Sequence, residues 1–132
     1  MFDLTFSILP QAMNAASVRN SVIAQNIANQ STPDYKRKYV TFEEEFQKAL
    51  GSSDEIALKT NKPSHINNTP SLTQVQPQIL KDTSRSNRED GNNVNVDVES
   101  VNMYINGMYY NGLTRLMNYS IQRYNTVIKG VR

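Results

Sequence analysis

The chain of 132 residues has no cysteine, a single histidine and only 38% hydrophobic residues. Without cysteine there are no disulfides and no thiolate metal sites, and the chain can cross an oxidising space without mispairing. The hydrophobic share falls below the ~45–50% usual for soluble domains, so any core is thin. The length allows one small domain at most. No apolar run nears the ~20 residues that a membrane span requires, so no direct membrane span is expected. The N-terminus MFDLTFSILPQAMNAASV lacks a positively charged opening, and its first charge is Asp3. A cleaved signal peptide is therefore not expected. The 14 basic and 12 acidic residues are interspersed, leaving a net charge of +2. That is too weak and mixed for a nucleic-acid surface.

What is present begins with a helical pattern over residues 3–29. Phe2, Phe6, Leu9, Met13, Ala16, Ile23 and Ile27 recur at heptad-like spacings, and Asn20 fills the one long gap. Ile8, Ala12, Ala15 and Val22 form a second stripe beside them. The two stripes make an apolar face broader than a strict two-stranded seam needs. Asn20 on that seam is expected to fix register by facing its own kind. Pro10 is comfortable only in a first turn, so the pattern favours helix entry at Ser7. Pro33 ends the helix, with Asn29 expected in the terminal left-handed position.

Residues 34–93 read as a loop-rich middle segment with a possible short helix over 42–50, carrying Phe42, Phe46 and Leu50 on one side. From 51 to 93 apolar residues are sparse, and Pro63, Pro70 and Pro77 interrupt any long element. Such a segment buries too little to offset its ordering entropy, so it is expected to be mobile or ordered by partners.

The chain changes character at DGNNVNVDV. Asp90-Gly91 marks a turn, Val94, Val96 and Val98 alternate as a short extended run, and Asp97 is a candidate N-cap. A helix of about 32 residues should follow, some 48 Å long. Val101, Ile105, Tyr109, Leu113, Met117, Ile121, Tyr124, Ile128 and Val131 recur along it, with Tyr104, Met108, Leu116 and Val127 alongside. One shorter partner helix leaves part of that surface uncovered. Gly107 and Gly112 weaken the helix or admit the close approach of another.

Candidate chemistry is scarce. His65 lies in a Pro-rich loop with no motif around it and reads as a solvated residue. Glu43, Glu44 and Glu45 are consecutive, point in different directions and build no paired-carboxylate site. There is no phosphate loop, nucleophile elbow or metal-ligand spacing. Lys36, Arg37 and Lys38, flanked by Tyr35 and Tyr39, suit a contact with an acidic neighbour better than a nucleic acid. No catalytic residue, cofactor, metal or small-molecule substrate is expected.

Three segments together resemble a known family. SVIAQNIANQSTPDYKRK, residues 21–38, resembles the N-terminal signature of the flagellar rod, hook and filament-junction proteins. Asn26, Ile27, Ala28, Asn29, Thr32, Pro33, Tyr35 and Lys36 match it, and Asp34 stands where that family usually has Gly. Asp tolerates the left-handed region better than most residues. DGNNVNVDVES and the ending IQRYNTVIKGVR are most similar to the short proximal rod members.

The resemblance implies a mainly α fold: two long terminal helices paired as a coiled-coil-like hairpin, with a loop-rich, partly extended middle. Residues 1–33, 34–93 and 94–132 would form its three parts within one axial-protein domain. It implies a structural, non-enzymatic subunit of the proximal rod of the bacterial flagellar basal body, in the periplasm. Such a subunit assembles helically through its terminal helices to transmit torque. Export would run through the flagellar type III apparatus without a cleaved signal. The implied partners are copies of itself, rod proteins of the FlgC, FlgF and FlgG type, the adaptor FliE and the inner-membrane ring protein FliF.

The residues expected to pack between subunits are Leu9, Met13, Ala16, Asn20, Ile23 and Ile27 on the first helix. On the last helix they are Ile105, Met108, Tyr109, Leu113, Leu116, Met117, Ile121, Tyr124 and Ile128. The alternatives are another rod-family member, FlgC-like, or a small helical adaptor or export chaperone that forms a closed dimer.

Overall fold

A computed structural model describes residues 2–51, 75–86 and 88–130. Along the chain run α1 (Phe2–Ala28), β1 (Lys38–Thr41), α2 (Glu43–Gly51), β2 (Gln78–Lys81) and α3 (Val96–Lys129). The fold is mainly helical, with long terminal helices and a small two-stranded sheet. Asn26 meets Glu99, and Asn106 reaches Ala16, so α1 and α3 pair antiparallel. His65 and the surrounding Pro63 and Pro70 lie outside the described residues, as do Val131 and the side chains of Phe2 and Leu50.

Helix α1 begins at Phe2 rather than Ser7 and carries Pro10 inside it. An interior proline loses one backbone bond and crowds the preceding turn, at roughly 3 kcal/mol. Packing on the opposite side of the helix offsets this. Leu9, Ala12 and Ala15 are buried with Phe42, Val75 and Leu113, and Met13, Phe46 and Met117 close over them. The turn before Pro10 is held as well: Phe6 meets Tyr124 edge to face at 4.8 Å. Pro10 itself is exposed.

The far end of α1 departs from expectation in a different way. Asn29 is not left-handed; among the described non-glycine residues only Asp34 has positive φ, at 58°. Asn29 continues the helical trend, its N–H donating to the Gln25 carbonyl and its side-chain amide donating to the same oxygen at 2.7 Å. An amide that caps from its own position removes the need for a left-handed residue there.

The middle is more structured than its composition suggests. Strands β1 and β2 pair antiparallel with Val40 opposite Ile79 and Lys38 opposite Lys81. Val75 is buried in the core. Residues 75–81 are therefore ordered by their own chain, not by a partner. Four-residue strands that include lysines give almost no period-2 signal, so the sequence reads as loop. Helix α2 follows at once, its first backbone bond running from the Phe46 N–H to the Phe42 carbonyl.

Helix α3 begins two residues earlier than expected. Asn95 is the N-cap, accepting from the N–H groups of Asp97 and Val98 at 3.0 and 3.3 Å. The extended run therefore stops at Val94, and Val96 and Val98 are helical. Asn and Asp cap equally well, so composition alone does not decide between them.

The larger correction concerns the face of α3. Its buried residues are Glu99, Asn106 and Leu113. Val101, Ile105 and Tyr109, which recur in the same row as Leu113, are exposed. Positions four apart drift by roughly 40° per step around an α-helix. The row Val101, Ile105, Tyr109, Leu113, Met117 therefore winds from the outside of the helix to the inside. Substituting Pro10 by Ala should restore a backbone bond at an exposed position. Urea denaturation of the purified chain should show a gain of about 1–3 kcal/mol.

Candidate assembly site

The motif-bearing segments meet at one end of the helix pair and bond to one another. Asn26 is fully buried, and its amide works in both directions. Its Nδ2 donates to the Lys38 carbonyl at 2.7 Å and to Glu99 Oε2 at 2.9 Å. Its Oδ1 accepts from the Lys38 N–H at 3.0 Å and the Tyr35 hydroxyl at 3.3 Å. The side chain thus serves the β1 backbone as a neighbouring strand would. Glu99 is 1% exposed and receives Arg37 Nε on its other oxygen at 2.6 Å. A buried carboxylate needs such partners, because an unpaired charge there is strongly unfavourable.

The DGNNV segment closes the same end. Asn92 is fully buried, and its Nδ2 lies within 2.9 to 3.1 Å of the carbonyls of Asn29, Gln30 and Thr32. These carbonyls belong to the turn that follows α1, and those of Asn29 and Thr32 also accept backbone N–H groups from Thr32 and Tyr35. Its Oδ1 accepts from the Val94 N–H. Asn93 accepts from the Arg37 N–H and donates to the Asp82 carbonyl, joining the sheet to the start of α3. Lys36 Nζ donates to the Gly91 carbonyl at 2.8 Å.

Within the chain, Lys36 thus meets the Gly91 carbonyl and Arg37 meets the acidic Glu99. The Glu43–Glu45 run is partly paired too: both Glu43 oxygens accept from Arg19 at 2.7 Å, and Glu45 accepts from Lys48.

The residues expected to pack between subunits divide into two groups. Leu9, Ala16, Ile23 and Leu113 are buried within the chain, with Met13, Ile27, Met117 and Tyr124 half-buried. Ile105, Met108, Tyr109, Leu116, Ile121 and Ile128 are exposed. Asn20 is exposed and off the seam; the polar residues on the seam are Asn26 and Asn106. Ile105 and Tyr109 continue into a groove of about 440 Å³ floored by Val22, Ile23 and Val40 and edged by the Arg19–Glu43 pair. An added Cβ at Gly107 or Gly112 meets nothing within 4 Å, so no close approach occurs there within the chain. The burial of Glu99, Asn92 and Asn106 is not legible in the sequence, since polar residues on a helix or in a turn read as solvated until their packing is known.

No family model matches the chain. Curated relatives do. A flagellar basal body rod protein FlgB of Borrelia hermsii is 32% identical over 98% of this chain and 98% of its own length. The FlgB of Bacillus subtilis (strain 168) is 32% identical over 98% of this chain and 97% of its own. That of Borreliella burgdorferi is 31% identical over 97% and 98%. The chain belongs to the FlgB family of flagellar basal body rod proteins. In this FlgB-family chain the NIAN turn, the TPDY segment and DGNNV form one hydrogen-bonded unit, with an apolar surface on α3 beyond it.

Two tests follow from the polar unit. Asn92→Ala removes a buried amide that bonds three carbonyls of the turn after α1 and should lower stability by about 1–3 kcal/mol in urea. The second concerns acid. Hydrogen bonds from the Ser84 backbone and side chain hold Asp82 below the usual carboxylate range, and the Asn92 N–H does the same for Asp90. Glu43 is also lowered: partial burial opposes this, but the Arg19 hydrogen bonds and the α2 backbone outweigh it. Groups with depressed folded pKa values stabilise the fold above their unfolded values and lose that contribution as pH falls through the folded ones. Urea midpoints should therefore hold from neutrality to about pH 5 and decline below about pH 4.

Proposed function

We propose that the chain is a structural subunit of the flagellar rod, working by contact rather than catalysis, and that the exposed apolar face of α3 is its main assembly surface. The observation that carries this is the combination of whole-length kinship to FlgB proteins with that face. Contiguous apolar patches of several hundred Å² are uncommon on monomers and mark interaction sites. The described charged clusters are engaged in holding the chain together: Glu99 with Arg37, Glu43 with Arg19.

On this reading the partners are further copies and other rod components, FlgC-, FlgF- and FlgG-like, with FliE and FliF at the base. The place is the proximal, periplasmic part of the rod, reached through the flagellar export apparatus. Ile105, Met108, Tyr109, Leu116, Ile121 and Ile128 contact neighbours. Leu9, Ala16, Ile23 and Leu113 hold the helix pair that presents them. The polar unit stiffens the end of the pair, as a subunit that passes torque to its neighbours requires.

The test is complementation of a strain that lacks the chain. Ile105→Asp and Leu116→Asp replace exposed side chains, so each variant should fold with unchanged helicity yet abolish swimming and leave basal bodies without a complete rod. Leu9→Asp should unfold the purified chain. Normal motility with both exposed-face variants would overturn the assignment of this surface.

A further inference from the structure

We infer that the outer stripe of α3 in one copy packs along the back of α1 in a second copy of the same chain. This deepens the rod-subunit reading and rests on it.

The two surfaces are opposite in kind. On α3, Val98, Val101, Ile105, Met108, Leu116 and Tyr119 recur three or four residues apart, apart from the turn where Gly112 stands open, and each is between 50% and 62% exposed. On the back of α1 the exposed residues at the same spacing are Asn14, Ser17, Ser21, Ala24 and Ala28. Large side chains on one helix and small ones on the other let two axes approach closely.

Charge supports the same pairing. From Pro10 to Ala28 the sole charged residue is Arg19, and it is engaged by Glu43. A helix back that remains in water normally carries charged residues; this one carries none. The six side chains of the α3 stripe carry no charge either. Joining the faces buries no ion, and interface centres are depleted of charge for that reason. At roughly 100 Å² for each half-exposed side chain, the α3 stripe offers about 600 Å², near the ~800 Å² per partner of a stable interface.

The geometry selects a second copy in one orientation. Placing α3 beside a neighbour's α1 repeats the antiparallel alternation already present within the chain, so every subunit points the same way. The contact joins two different patches and therefore propagates instead of closing. A face-to-face pairing of two α3 stripes would reverse one subunit and end the array. The stripe lies roughly 120° around α3 from its inner face, which curves the layer of helices as subunits are added.

The absence of cysteine makes a direct test possible. Full-length Ile105→Cys and Ser21→Cys versions are co-expressed in the complemented strain, and isolated basal bodies are treated with a short bis-maleimide. The expected product is a mixed dimer containing one of each, with Ser17→Cys in place of Ser21→Cys covering the adjacent helical turn. Ala24→Trp, at an exposed position, should reduce incorporation into basal bodies at least tenfold with unchanged helicity, whereas Ala24→Ser should not. Basal bodies that contain both cysteine versions but yield no mixed dimer at either position would overturn this contact and leave the rod reading intact. Dimers formed by Ile105→Cys alone would replace it with the face-to-face pairing. If the chain is absent from basal bodies, the rod reading fails, and this contact fails with it.

Discussion

The carboxylate of Glu99 sits almost without solvent at the first turns of α3, and the fold is organised around its needs. One oxygen takes Asn26 from the last turns of α1, and the other takes Arg37 from the segment between α1 and β1. Removing one member of a buried ion pair is far more damaging than replacing the whole pair by apolar groups, because a charge is then left uncompensated. Three segments distant in sequence are therefore constrained to arrive together. Asn26 extends the constraint by bonding both the N–H and the carbonyl of Lys38, which places β1, and β1 in turn places β2. A sheet of two four-residue strands would not persist in isolation. Here it is one edge of the same hydrogen-bonded unit.

That constraint also decides where the apolar residues of α3 go. The inner face of the helix is occupied at Glu99 and Asn106 by groups that bond to α1, and only from Leu113 onward does it become apolar. Polar pairs in a helix seam fix register at some expense of stability. They also displace hydrophobic side chains from the seam to the outer face. The end of α3 nearest the motifs is thus held internally by polar bonds and presents Val101, Ile105 and Met108 outward. A subunit that must bind neighbours firmly without collapsing on its own apolar surface benefits from that separation.

How far the sequence could be read depended on what each signal measures. Periodicity located both long helices and the short one, because a sustained 3.6-residue pattern outlasts local exceptions such as Pro10. It misassigned the face of α3, since a row of residues four apart looks like one stripe while turning around the axis. It missed β1 and β2 because their order comes from Asn26 and from pairing across a long separation. The NIAN and DGNNV motifs were visible as family marks, but their roles were not. That Asn92 ties down the turn after α1, and that Asn26 stands in for a strand, depends on contacts between segments some sixty residues apart or on burial, and neither is written in local composition.

Asp34 shows how the two motifs act as one. Its φ of 58° occupies the left-handed region that suits glycine. Its N–H donates to the Asp90 carbonyl at 2.8 Å, so the turn is pressed against the DGNNV segment. Directly opposite is Gly91, with φ of +72°. A Cβ at that position would lie 2.5 Å from Asp34 Oδ1. The strain of an Asp in the first turn is therefore accommodated by the lack of a side chain in the second. The first motif tolerates its departure because the second keeps its glycine, and a side chain at 91 would force either the Asp34 carboxylate or the backbone that carries Asn92 to move. Since Asn92 holds the turn that follows α1, that displacement would be transmitted to the helix pair and to the surface it presents.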